Sequence, residues 1–280
     1  PVLLKYLYEK NGYTAQWPDK QSWKTEADSL YELSRGARFH GLFPEDYHIR
    51  ELSVIREQFM ADSLSRNERK DASLWSKADI LLTDAFVQIA RDIKLGRLPN
   101  DSISLNKDTV VSETYFLQHL HQVPGSGAVF TIMHALEPRH WGYHQLKKGI
   151  GRFMEHADFR EHTLVPSPGK KSPGFKEALQ KRLFEGAYIA FDSVKADSLQ
   201  LAVAVKKFQQ EKGITVDGIA GEGTVRMLNL SDHDKFIRIA ISLDKYKKMP
   251  AEMPSKYIWV NTSSNYLNVV NNATIDFSSR

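Results

Sequence analysis

Apolar positions recur every three to four residues along most of the chain, a spacing that predicts helices. Leu3, Leu4, Leu7 and Tyr8 share one helical stripe, and Asn11-Gly12 reads as its end. Trp23, Ala27, Leu30 and Leu33 repeat the pattern, with Gly36 near its close. Residues 46–64 form a further amphipathic stretch. The longest and most apolar segment, 73–98, aligns Ala78, Leu81, Leu82, Ala85, Ile89 and Ile93 on one face and is stopped by Gly96 and Pro99. Two more helices are expected over 113–123 and 143–159, with the punctuating PGSG of 124–127 between them.

The pattern lapses at 162–174, HTLVPSPGKKSPG, which has the composition of a linker. It resumes with Phe175, Ala178, Leu179 and Leu183 on one face, broken by Gly186. Leu201, Val205 and Phe208 follow at i, i+4 and i+7, closed by Gly213; Asp217-Gly218 marks a tight turn, and a last short helix carries Val225 and Leu228. These three short helices are sized to share one small core. Phe236, Ile239, Ala240 and Leu243 then define another helix, after which 256–279 switches to period two with β-forming residues and an Asn271-Asn272 turn. The expected fold is mainly α: a helical domain over 1–161, a linker over 162–174, a three-helix module over 175–230, and a helix with first strands over 231–280, ending in a short β-hairpin segment. Strands near 257–261, 265–270 and 273–278 have unpaired edges to satisfy. The hairpin is therefore expected to pair with a neighbouring molecule, to pack on the helical part or to be poorly ordered.

At 280 residues the chain is long enough for two domains that need no metal or disulfide staple. It has no cysteine, which excludes disulfides, cysteine-ligated zinc and a cysteine nucleophile. A net charge of +4, with Lys and Arg scattered among the acids, suits an anionic polymer but argues against nucleic acid as partner. No apolar run approaches the ~20 residues of a membrane helix. The start at Pro1, without methionine, reads as that of a mature or trimmed product and is compatible with a cleaved export signal.

Candidate chemistry is sparse. His119/His121 and His140/His144 have metal-like spacing, but no HExxH glutamate accompanies them, and capping or surface roles are the plainer reading. Glu113, Glu137 and Glu222 could supply a carboxylate pair for glycoside hydrolysis. No nucleophile elbow, Walker or dinucleotide glycine pattern is present. The tryptophans Trp17, Trp23, Trp75 and Trp141 read as packing anchors ahead of a carbohydrate platform. No cofactor, metal or catalytic residue is expected.

One stretch is more specific. AVKKFQQEKGITVDGIAGEGTVRMLN, 204–229, resembles the second half of a peptidoglycan-binding-domain-like module, through Ala204-Val205, Phe208-Gln209, Gly213, Asp217-Gly218, Gly221, Thr224, Leu228 and Asn229. YEKNGYTAQW (8–17), HGLFPEDYHI (40–49) and DILLTDAFVQIARDIKLGRL (79–98) resemble the helical scaffold of the large L,D-transpeptidase family that includes the YcbB type. Residues 239–270 resemble that family's connection into its catalytic β-domain, although NTSSNYL departs from the family's usual Asn-Ile-Pro.

The resemblance implies an exported protein of the periplasm or cell envelope whose partners are peptidoglycan glycan strands and stem peptides, with other envelope proteins as further partners. The family's cysteine, in a Ser-His-Gly-Cys-x-Arg type motif, attacks a stem peptide; this chain lacks it and is expected to be catalytically silent, with the catalytic domain largely missing. The alternative is a stand-alone wall-binding scaffold that positions other envelope enzymes. The residues expected to touch substrate are Tyr188, by stacking on a sugar, Gln209 and Gln210, by hydrogen bonds to peptide amides, and Arg226, by a bidentate contact with a stem carboxylate. Tyr188 could equally be core, and Arg226 a solvated helix face.

Overall fold

The computed structural model describes residues 2–17, 23–65, 72–99, 111–123, 128–168, 173–190, 197–250, 252–262 and 265–280. The chain is mainly helical, with a small antiparallel sheet at its C-terminal end. It divides into two compact units, one of Pro1–Met154 with Ile239–Arg280 and one of Glu155–Arg238.

The larger unit is built around α4 (Ala72–Leu95), against which α1 (Val2–Lys10), α2 (Thr25–Arg35), α3 (Ile49–Ser65), α5 (Glu113–Leu120) and α6 (Ala128–Leu136) pack. Of its expected stripe Ala78, Leu82, Ala85, Ile89 and Ile93 are fully buried and Leu81 is half-buried, and Phe86 joins them in the core. α2 ends at Arg35, beside the Gly36 that the sequence places near its close, and Ala37–His40 forms a 3-10 turn. α6 was not expected from the sequence; it contributes Val129, Ile132, Met133 and Leu136 to the core.

Polar groups inside this unit are held by name. Asp79 accepts the backbone N–H groups of Gln16 (2.6 Å) and Trp17 (2.8 Å) and the hydroxyl of Tyr8 (2.5 Å), and the Trp17 indole N–H donates to Thr83 (3.0 Å). These bonds pin Tyr8, Gln16 and Trp17 onto α4. Glu137, with its side chain 1% exposed, meets His40 at 3.1 Å and the ammonium of Lys147. Burial alone would raise its carboxyl, but hydrogen bonds and charge from His40 and Lys147 outweigh that and hold it at about 2.

The helix α11 (Asp232–Lys247) begins in the smaller unit and ends in the larger one. At its C-terminal end Asp244 accepts the backbone N–H groups of Arg97 (2.9 Å) and Leu98 (2.7 Å) and faces the buried Lys247 at 3.3 Å. The approach is close enough that a Cβ on Gly96 (φ +76°) would lie 2.7 Å from the Asp244 carboxylate, so only glycine fits.

The sheet has three strands, one more than a hairpin: β1 (Lys256–Asn261), β2 (Tyr266–Asn271) and β3 (Thr274–Ser279), in the order β1-β2-β3 and antiparallel throughout. The turn between β2 and β3 falls on Asn272-Ala273, both at positive φ, one residue beyond the Asn-Asn pair. Of the expected fates of these strands, the structure shows packing on the helical part. Trp259 of β1 stacks with His140 (5.2 Å between ring centroids) and with Tyr246 of α11 (6.2 Å).

The smaller unit holds α8 (Phe175–Glu185), α9 (Ser198–Glu211) and α10 (Glu222–Leu228) with the start of α11. Leu179, Leu183, Leu201, Ala204, Val205, Phe208, Val225 and Leu228 form its core. Residues 162–168 are more than the linker expected over 162–174. Val165 is buried in the same core, and the Asn229 amide bonds its backbone at both N–H (2.9 Å) and C=O (2.8 Å). The Pro/Gly/Ser composition conceals this because Val165 has no periodic apolar partner and its neighbour Leu164 is exposed.

Candidate functional site

The smaller unit is organised by Gln209, the residue after the core Phe208 on α9. Its side-chain N–H groups donate to Asp217 (2.8 Å), the Ile219 carbonyl (3.1 Å) and Thr224 (3.0 Å), and its carbonyl oxygen accepts from Asp217 (3.1 Å) and Gly218 (2.8 Å). One neutral amide thereby ties α9 to the 213–221 turn and to the first residues of α10. At 1% exposure, with donors and acceptor all occupied, Gln209 has nothing left for a ligand. The expectation that it contacts substrate is corrected on that ground. Gly218 takes its positive φ of 78° so that the turn can close against Lys206 and the Ala202 carbonyl. Asp217 is held below the usual carboxylate range by the Ile219 N–H and by Gln209.

Tyr188 is half-buried just beyond α8. Its ring packs edge-on to Phe208 at 5.3 Å, and its hydroxyl donates to Glu211 at 2.7 Å. Burial and that contact with Glu211 raise its pKa. The ring therefore belongs partly to the core, and only its outer portion can meet a ligand. Gln210, next to the buried amide, points to solvent.

Arg226 is exposed on α10 and forms one wall of an open cleft of about 420 Å³, together with Asn229, Leu230, Asp234, Ile237 and Arg238. Tyr188, Gln209 and Gln210 do not line it. The structure thus separates the four expected contact residues. One is in the cleft, two are on other surfaces and one is interior. Asp234, in the first turn of α11, accepts from Ser231 through its N–H (3.1 Å) and hydroxyl (2.6 Å), and its carboxylate lines the cleft beside Arg238 of the same helix. Guanidinium groups recognise carboxylates through paired N–H donors, so the cleft is suited to a peptide carboxylate. Asp234 and Arg238 were missed from the sequence because they lie on α11, which reads as part of the next region.

The other candidate chemistry dissolves into packing. His140 Nδ1 accepts the Gly142 N–H (3.0 Å) at the start of α7 (Trp141–Met154), and His119 Nδ1 lies 2.9 Å from the Tyr115 carbonyl. No group of three metal-ligating side chains occurs among the described residues. Glu137 is committed to its ion network, and Glu222 stands in the first turn of α10.

No curated protein matches the chain. Among the described residues no helix is long and apolar enough to cross a membrane. Residues 176–228 match the family model described as a putative peptidoglycan binding domain, which supports peptidoglycan as partner and an association with the cell wall. Residues 2–150, more than half of the 280, match the model described as a scaffold domain, so the chain belongs to the scaffold-domain family.

Proposed function

We propose that this chain is the peptidoglycan-holding part of an L,D-transpeptidase-like system, located in the periplasm or cell envelope, and that it is itself catalytically silent. The observation that carries this reading is the Arg226 cleft on the unit whose sequence matches a peptidoglycan-binding domain. Arg226 and Arg238 would receive a stem-peptide carboxylate, while the exposed part of Tyr188 and the Gln210 amide would meet glycan or peptide beside it. The silence follows from chemistry. Transpeptidation through an acyl-enzyme of this type needs an activated thiolate, and none of the 280 residues is a cysteine. The functional division would follow 1–161, 162–174, 175–230 and 231–280, with the larger part placing the wall polymer for crosslinking chemistry supplied by cysteine-bearing residues. A scaffold that positions other envelope enzymes is the second reading; the sheet's exposed Ile258 and Phe277 favour it as a surface for protein contact.

Co-sedimentation with purified sacculi tests the binding. The wild-type protein should pellet at low salt, Arg226→Ala should pellet less, and Gln210→Ala should show a smaller loss. Full retention by an Arg226→Ala, Arg238→Ala double variant would remove the cleft from the account. Release of muropeptides or formation of new crosslinks by the purified protein would overturn its silence.

A further inference from the structure

The larger unit has an aromatic cleft of about 360 Å³ between α1, the turn that follows it and the start of α4, lined among others by Lys5, Tyr8, Tyr13, Trp75, Ser76 and Asp79. We propose that this cleft is a saccharide subsite, taking a sugar ring of a glycan strand independently of the Arg226 cleft.

Three features point to a sugar. First, Tyr13 is 73% exposed at the cleft and adopts φ +59°, directly after Gly12 at φ +63°. Two successive left-handed residues are unusual, and a bulky side chain there is strained; glycine or asparagine would satisfy the turn more easily. The backbone is fastened in this shape by the Tyr13 N–H bonding the Tyr8 carbonyl at 2.8 Å. Strain is thus retained to present an aromatic ring to solvent, at a position where packing does not need one.

Second, the cleft offers a second aromatic surface. Trp75 is half-buried, its inner part packing on the Ile55, Phe59 and Ala78 cluster. Aromatic faces accept the C–H side of a pyranose ring, leaving its hydroxyls for polar neighbours.

Third, those neighbours are present and held in place. Asp79, 2% exposed, contributes to the lining; its Oδ1 takes two backbone N–H groups while its Oδ2 takes one hydroxyl, from Tyr8, so Oδ2 keeps acceptor capacity for a sugar hydroxyl. The Ser76 hydroxyl is exposed at the cleft, and the Lys5 ammonium, 3.6 Å from Glu9, adds donors at its edge. Rings combined with short hydroxyl and carboxylate groups match a neutral polyhydroxylated ring better than a charged peptide.

The test uses the whole chain and glycan strands freed of their stem peptides by amidase, titrated by calorimetry. The wild-type protein should bind these strands, Tyr13→Ala should weaken binding roughly five- to tenfold, and Tyr13→Phe should keep most of it. Tyr13→Gly supplies a readout that a purely structural tyrosine would not give: relief of the left-handed strain should raise Tm while binding is lost. Unchanged glycan affinity in Tyr13→Ala or Tyr13→Gly would overturn the proposal. Failure of the wild type to bind peptide-free strands, with retention on intact sacculi preserved, would also overturn it and leave the Arg226 cleft standing.

Discussion

The two units solve the same problem, a polar group inside a small core, in opposite ways. In the larger unit the interior is ionic: Glu137 meets His40 from 97 positions away and Lys147 from ten, while Asp244, paired with Lys247 one turn along its helix, accepts the Arg97 N–H across 147 positions. In the smaller unit the interior is neutral, and a single Gln209 amide organises a turn and two helices within twenty residues of itself. Charges specify long-range pairing but depend on pH and on each other's presence, whereas a saturated amide depends on neither. The contrast makes the larger unit the pH-sensitive one.

The largest effect should come from removing the centre of the ionic interior. Glu137→Ala leaves the Lys147 ammonium without its counter-charge and the His40 ring without its hydrogen-bond partner beside a buried void, and should destabilise the larger unit by about 3 kcal/mol in urea unfolding. Glu137→Gln should do less, because it keeps the volume and an acceptor. Gln209→Ala comes next. It strands the Gly218 and Asp217 N–H groups and the Thr224 hydroxyl, and should destabilise the smaller unit by about 2 kcal/mol. Hydrogen exchange should then report the loss in 197–229 and leave α4 protected. If the two variants lowered protection in both units equally, the separation drawn between them would fail.

A smaller effect concerns the sheet's anchor. A Cβ on Gly142 would lie 2.4 Å from the Tyr246 hydroxyl. Gly142→Ala should therefore displace Tyr246 and disturb its stack with Trp259, at a cost of about 1–2 kcal/mol. The near-ultraviolet circular dichroism of the tryptophans should change while helix content stays the same.

The smallest and most diagnostic effect is on pH dependence. Burial lowers the pKa of His40 below its usual 6.5, against the pull of Glu137. The unfolded chain then binds a proton that the folded chain resists, so this contribution is intact above pH 6.5 and is lost as pH falls below it. Glu137, depressed from 4.5 to about 2, adds a second loss between those values. The smaller unit's depressed groups are carboxylates such as Asp217 and Glu211, so its decline should begin only in the acidic carboxylate range. Thermal unfolding followed unit by unit between pH 7 and 5 should show the larger unit losing Tm first, and His40→Gln should flatten that limb.

Much of this architecture is legible in the sequence, and the exceptions have physical causes. The α4 stripe and the Leu201–Val205–Phe208 stripe could be read directly because burial and periodicity coincide. α6 escaped notice although Val129, Ile132, Met133 and Leu136 have helical spacing; its shortness and the PGSG before it hid the pattern, and PGSG itself lies outside the described residues. The ionic interior was invisible. Asp244 finds Arg97 across 147 positions, and nothing local distinguishes it from a solvated aspartate. Gln209 could have been found. It lies eight residues after Leu201 and directly after Phe208, on the buried face of α9, where a polar side chain must be satisfied internally. Arg226 was identified by its charge and position, but its cleft partners Asp234 and Arg238 belong to a helix that sequence reading assigns to the next region.

The central claim is that the smaller unit holds peptidoglycan through the Arg226 cleft. Hydrogen exchange of the intact chain, with and without soluble disaccharide-peptide fragments released from sacculi, tests it most directly. The account predicts slowed exchange over α10 and the start of α11, residues 222–238, and its loss in Arg226→Ala. Fragments that bind without protecting any part of 175–238, or that protect nothing at all, would contradict it.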